Sequence, residues 1–191
     1  GIDQVIFDGS TSYSGIIALG EAANVVTLEN GSNISAATLT ATGGSINLTT
    51  AGTVIVSAEQ NELFSSGDIT ASNTPNIIIA AGTYTTVTTN TAIDAYTLGE
   101  EANNAVTVVV GATDNVNITS ASTTDVITAQ VAGTYTGTIA TSNAADTNVL
   151  SLTATADIKD ATIDANFDNL TLITGGNTYT MTHAQYASFG V

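Results

Sequence analysis

Apolar and polar positions in this chain alternate over short stretches and do not recur at helical spacing. INL at Ile46 to Leu48 and LTL at Leu170 to Leu172 place every second side chain on one face. That pattern predicts strands with one side in a core and the other toward water. Gly follows or precedes many of these stretches, where a sharp turn or positive φ is needed. A second strand then follows, as TVIV from Thr53 or TYTMT from Thr178. NIIIA at Asn76 to Ala80 is continuously apolar and predicts a strand buried on both faces. Asn precedes several strands, at Asn24, Asn76, Asn148 and Asn169, which predicts an Asx-type turn at each strand start.

The segments repeat imperfectly. LGEAANVVTL returns as LGEEANNAVTV, AGTYT at Ala81 returns at Ala132, and SYSGII near Tyr13 returns as TYTGTI near Tyr135. Some spacings lie near multiples of about 25 residues and others do not, so the sequence predicts a strand–turn–strand module with variable insertions. One phrase is longer. Ser57 and Thr182 stand where a helix N-cap belongs, with Gln60 and Gln185 three residues on. That spacing is a capping box, in which the side chains exchange hydrogen bonds with exposed backbone amides. Gly67 and Gly190 follow as stops, and Phe64 and Phe189 are placed to plug an apolar edge. The phrase predicts a strand, a capped helical turn and an aromatic plug that together close off a stretch of sheet.

Composition strengthens the strand assignment. About a fifth of the chain is Thr, which with Val and Ile carries a branched Cβ suited to a pleated surface. Pro75 is the sole proline and no linker is evident, so residues 1–191 read as a single all-β repeat domain, long enough to bury an ordinary core. Stacked strand–turn units favour a parallel β-solenoid. An antiparallel β-sandwich is the alternative, since AGT and GGNT can equally close hairpins.

Charge and missing residue types exclude much chemistry. Seventeen acids face Lys159 alone, for a net charge of −16. Such a surface repels phosphate backbones and anionic lipid, and its self-repulsion calls for salt or divalent cations. The absence of Cys removes thiolate metal sites and cysteine nucleophiles. No apolar run approaches the roughly 20 residues that span a bilayer, so no membrane insertion is expected. GIDQVIFDGS lacks the basic and apolar regions of a signal peptide, so the chain reads as a mature form or one exported without an N-terminal signal. Avoidance of Lys and Arg fits saline extracellular surroundings.

The stretch from Thr134 to Phe189 resembles modules of very long, Thr-rich bacterial surface proteins: S-layer-like, adhesin-like and RTX-associated repetitive proteins. The matching positions are Tyr135, Asp146, Leu150, Leu152, Asp157, Ala161, Thr162, Phe167, Leu170, Leu172, Gly175 and Gln185. The resemblance covers about the last 60 residues well and the rest loosely. It implies a β-solenoid, extracellular display and often calcium, and it does not imply an enzyme. The calcium repeat G-G-x-G-x-D of RTX proteins is absent; Gly43-Gly44 and Gly175-Gly176 stand alone.

Candidate chemistry is sparse. Asp157, Asp160, Asp164 and Asp168 fall within twelve residues and are the candidate calcium ligands, since calcium takes six to eight oxygens. Solvated turn acids are the plainer explanation of the same residues. Glu21 and Glu100-Glu101 are a second acidic candidate. Two carboxylates could serve glycoside hydrolysis, but Trp and Arg are lacking. His183 is the only His, in the capped turn, and one imidazole makes a poor transition-metal site. Thr-x-Thr rows could face ice, though their spacing is irregular. Sequons at Asn30, Asn33, Asn47, Asn117 and Asn169 are as frequent as chance provides in a Ser/Thr-rich chain. The sequence therefore predicts a non-catalytic, extracellular structural protein. It reads as a surface-layer or filament-type subunit or module that associates with itself through β-structure. The alternatives are an adhesin-type module contacting glycan, ice or a cell surface, and a polysaccharide-active β-helix enzyme.

Overall fold

The structure, a computed structural model, describes residues 4–9, 12–19, 24–41, 45–48, 52–63, 69–71, 76–99, 105–120, 126–141, 148–173 and 175–189. The chain winds as a parallel β-solenoid. Every strand pairing among the described residues is parallel, which rules out the antiparallel sandwich. Successive partners lie from 19 (Asn76 to Ala95) to 24 (Thr138 to Thr162) residues apart in the chain, one coil above the last.

The N-terminal coils have three faces. The first carries β1 (Gln4–Phe7), β3 (Val25–Leu28), β5 (Ser45–Leu48) and β7 (Ile69–Ala71). The second begins with bridges through Ser12, Asn33 and Ile55 and becomes β6 (Thr53–Val56) and β8 (Asn76–Ile79). The third carries β2 (Ile16–Leu19) and β4 (Thr38–Ala41), then helix α1 (Ala58–Glu62), then β9 (Thr86–Thr88). Further coils extend two of these columns. β10 (Ala95–Leu98), β12 (Val116–Ser120), β14 (Thr138–Thr141) and β16 (Thr162–Ile163) continue from β8. β11 (Ala105–Val109), β13 (Val126–Thr134), β15 (Val149–Asp157) and β17 (Asn169–Leu172) continue from β9, while β18 (Tyr179–Thr180) pairs with the far half of β15. Helix α2 (His183–Ser188) follows.

Alternation sets the inside. In β5, β6, β8 and β10 every second residue is buried. Parallel register stacks like on like, giving ladders such as Val87–Val108–Ala129–Leu150–Leu170 and Val54–Ile77–Tyr96–Ile118. Each buried aliphatic rung contributes about 1.5–3 kcal/mol by leaving water. The run Asn76–Ile79 does not sit between two layers as expected: Ile77 and Ile79 are buried, while Ile78 faces outward and is half-buried between Ile55 and Thr97. Asx turns do occur. Asn33, Asn90, Asp157 and Asp164 each accept from the backbone N–H two residues on. Asn148 instead ties coils together, accepting from Ile127 N and donating to Asn166 O.

Both capping boxes form. Ser57 accepts from Gln60 N and Thr182 from Gln185 N, and each Gln side chain accepts from the cap's own N–H. Each Gln also latches its helix to the coil below. Gln60 Nε2 donates to Ile34 O and Ala37 O at 2.7 and 2.8 Å; Gln185 Nε2 donates to Ile158 O and Ala161 O at 2.7 and 2.9 Å. Phe189 is buried in the core as the expected plug. Phe64, Gly67 and Gly190 lie outside the described residues.

The match extends far beyond the helices. Tyr13 N bonds Asn33 O as Tyr135 N bonds Asp157 O; Ile34 N bonds Ile55 O as Ile158 N bonds Thr180 O. Ala37 N to Ile34 O recurs as Ala161 N to Ile158 O, and Thr38 N to Gly15 O as Thr162 N to Gly137 O. Residues 4–63 and 126–188 are thus two copies of one block, offset by 122 (Tyr13 to Tyr135) to 125 (Ser57 to Thr182) residues. Single coils vary in length, as the sequence suggests, but the block has a definite period. Within it the Gly of SYSG and TYTG is required by close approach: a Cβ on Gly137 would lie 2.1 Å from Asp114 O.

The two copies do not occupy the same faces. β1 opens the first face, whereas its counterpart β13 continues the column that runs over α1 through β9 and β11. β2 belongs to the third face, whereas its counterpart β14 stacks on the column of β6. Each block is therefore turned by one face relative to the last.

The latches predict unequal costs. Gln60→Ala, which strips partners from Ile34 O and Ala37 O beneath a buried side chain, is expected to cost about 1–3 kcal/mol or more. Gln185→Ala, at a half-exposed position, should cost less. Urea denaturation of the two variants checks the order.

Candidate functional site

The four candidate calcium ligands lie on the turns around β16. Asp157 Oδ1 accepts from Lys159 N, and its Oδ2 lies 2.9 Å from Lys159 Nζ; Asp160 lies 3.0 Å from the same ammonium. Asp164 caps the turn at Asn166 N at 2.8 Å, and Asp168 is exposed. Two of the four thus share the one lysine and a third is committed to its own turn. Among the described residues no group of three or more His, Asp or Glu comes together in a way that could hold a metal ion. What these acids do is local: the Lys159 ammonium, then the Lys159 N–H, holds the Asp157 carboxyl below its ordinary value, and the same contacts with Asp157 and Asp160 hold Lys159 above its own. The stabilising effect of Asp157 is present above the ordinary Asp range and lost as pH falls, and its exposure makes it small. Glu21 and Glu100-Glu101 lie outside the described residues.

His183 is exposed at the first turn of α2. Of the Thr-x-Thr rows, Thr38 to Thr42 runs along β4 and, past Ala41, out of the described residues; Thr83 to Thr85 lies in the turn before β9, Thr134 to Thr136 at the end of β13 and Thr178 to Thr180 at β18, so the four do not make one continuous face.

The most unusual polar site is one the sequence gives no sign of. Asp114 is 2% exposed. Its Oδ2 accepts from Thr89 Oγ1 and from Gly111 N, its backbone carbonyl accepts from Tyr135 Oη at 2.6 Å, and its Oδ1 has no hydrogen-bond partner among the described residues. Beside it Tyr96 Oη accepts from Asn90 N at 2.9 Å. The group ties three successive turns together, at 89–90, 111–114 and 135–137. Burial, with the Asp114 charge adding to it, pushes the phenols of Tyr96 and Tyr135 well above the ordinary tyrosine value. These contacts hold the three turns in place. In sequence Asp114 sits in ATDNV, an ordinary turn; its burial comes from coils 21 to 25 residues away.

A cleft of about 160 Å³ beside α1 is lined by Ser35, Ser57, Glu59, Gly82 and Tyr84. A shallower groove between coils is lined by Asp94, Asn115, Asn117 and Thr138. Neither gathers paired acids or a basic group.

The two ends of the solenoid differ from its sides. Among the described residues β1 pairs only with β3, and β17 only with β15. Most of the large apolar side chains that are exposed cluster there: Val5, Ile6 and Ile16 at one end, and Leu172, Ile173 and Tyr186 at the other.

No protein-family model, curated protein or solved structure matches this chain.

The raised tyrosines give a pH test. A native phenol that holds its proton more tightly than the unfolded one stabilises the fold fully below about pH 10, and the gain is lost as pH rises further. Thermal midpoints should therefore fall above about pH 10. In Tyr96→Phe the fall should be shallower, from a lower neutral-pH starting point because Asn90 N loses its acceptor.

Proposed function

We propose that this chain is a non-catalytic, extracellular structural module, a surface-layer or filament-type unit that associates with its own kind through β-structure. The observation that carries this reading is the parallel β-solenoid itself, whose described polar side chains are spent on its own turns and coils. Its sides are Thr-rich and polar. Open parallel edges are templates for further strands. The resemblance of residues 134–189 to repetitive bacterial surface proteins points the same way. The described polar groups favour it too: acids are spent on turns, the one lysine on an ion pair, and the buried carboxylate on holding coils together.

A net charge of −16 opposes association, and mobile cations, calcium among them, reduce that cost by screening. Sedimentation velocity across protein concentration, at low and near-physiological ionic strength, with and without EDTA, tests the reading. The expected result is concentration-dependent growth that salt promotes, with calcium replaceable by other ions at matched ionic strength. A strict monomer under every condition, or turnover of a polysaccharide by the pure chain, overturns it.

A further inference from the structure

The chain has two side chains able to carry positive charge, Lys159 and His183, against seventeen acids. Lys159 Nζ lies 2.9 Å from Asp157 and 3.0 Å from Asp160, and His183 is exposed on α2. Exposed acids need no partner, because water solvates them. Asp114 is different, at 2% exposed. An ionised carboxylate taken out of water without an opposite charge is among the costliest groups a fold can hold. Its two oxygens are treated unequally. Oδ2 accepts from Thr89 Oγ1 and, at 3.2 Å, from Gly111 N, whereas Oδ1 is buried with no hydrogen-bond partner among the described residues. A hydroxyl and an amide supply dipoles and no net charge. With the one lysine at Asp157 and Asp160 and the one histidine in water, the opposite charge for Asp114 comes from outside the chain's own side chains.

The carboxylate is also held still. Asp114 N donates to Gly111 O at 3.2 Å, and Tyr135 Oη donates to Asp114 O at 2.6 Å. Gly137 packs so close that a Cβ there would lie 2.1 Å from the same carbonyl. Thr89 Oγ1 is itself fixed by Gly111 N, at 3.1 Å. Oδ1 therefore cannot swing to another partner without breaking contacts to three turns. Gly111 stands beside it: a Cβ on this residue would lie 2.7 Å from Oδ2 and 3.0 Å from Oδ1. Gly111 is half-buried while Ala112 and Thr113 are exposed, so the way from solvent to the carboxylate passes over this turn.

We propose that Asp114 Oδ1 anchors one small monovalent cation of the sodium class. Hard cations take oxygen ligands, and this corner offers a carboxylate, the Thr89 hydroxyl and the carbonyl of Gly111. Charge selects the valence, since one carboxylate balances one positive charge and a divalent ion would leave a buried excess. Such an ion differs from the mobile cations that screen the whole surface, because it belongs to one residue and fixes the turns at 89–90, 111–114 and 135–137. It acts on the fold of a single chain, so it stands apart from the self-association reading.

Thermal unfolding of the whole chain in sodium chloride and in choline chloride, at matched ionic strength, separates binding from screening, since choline is too large to enter. The unaltered chain should melt higher in sodium, by about 3–6 °C for each tenfold rise in sodium above half-saturation. Asp114→Asn, of the same shape without the charge, should lose that gain. Equal melting of the unaltered chain in the two salts overturns the proposal, and so does a sodium gain that Asp114→Asn keeps. If Asp114→Asn fails to fold, Gly111→Ala takes its place. It retains the charge and closes the approach, and a full sodium gain in this variant overturns the site. Calcium chloride at the same ionic strength is the third arm: a calcium gain larger than that of sodium, and lost with the Asp114 charge or the Gly111 approach, overturns the monovalent assignment.

Discussion

Everything in this molecule depends on the requirement that each strand's backbone be completed by the coil above and below. A parallel strand cannot satisfy its own N–H and C=O groups, and an unpaired buried group costs as much as a lost hydrogen bond. Side-chain ladders follow from this constraint, since partners in register place the same alternation on every rung. Polar side chains intervene where the ladder is interrupted: Gln60 and Gln185 serve backbone carbonyls beneath the two helices, and Asn61 and Glu62 serve the edge of β9 that α1 has displaced from a strand partner. The fold is held as much by these substitutions as by its aliphatic interior.

The same constraint explains why the acids do not gather. In a solenoid, residues close in sequence lie on one turn and spread around the axis, while residues one coil apart come together. Asp157, Asp160, Asp164 and Asp168 are near one another in the chain, yet two share Lys159 and a third closes its own turn. Thr89, Asp114 and Tyr135, which never looked related, form one buried group because they are a coil apart.

Legibility followed the same division. Alternation in SINL and NLTL, the capping boxes at Ser57 and Thr182, and the echo of SYSG in TYTG are local signals, and they led correctly to stacked parallel strands. The burial of Asp114, the outward half-exposure of Ile78 and the cross-coil hydrogen bonds of Asn148 depend on partners that nothing near them in sequence names. The 122-to-125-residue block lay between these cases. Its echoes were visible, but variable coil lengths masked the period until hydrogen bonds aligned the two copies.

That each block is turned by one face has a geometric consequence. Were the block to recur along one axis with the same offset, its capped helices would trace a slow spiral and return to a given side only at every third block. Neighbouring rods could then interlock through helices arrayed like the treads of a threefold staircase, a lateral spacing written into the winding itself.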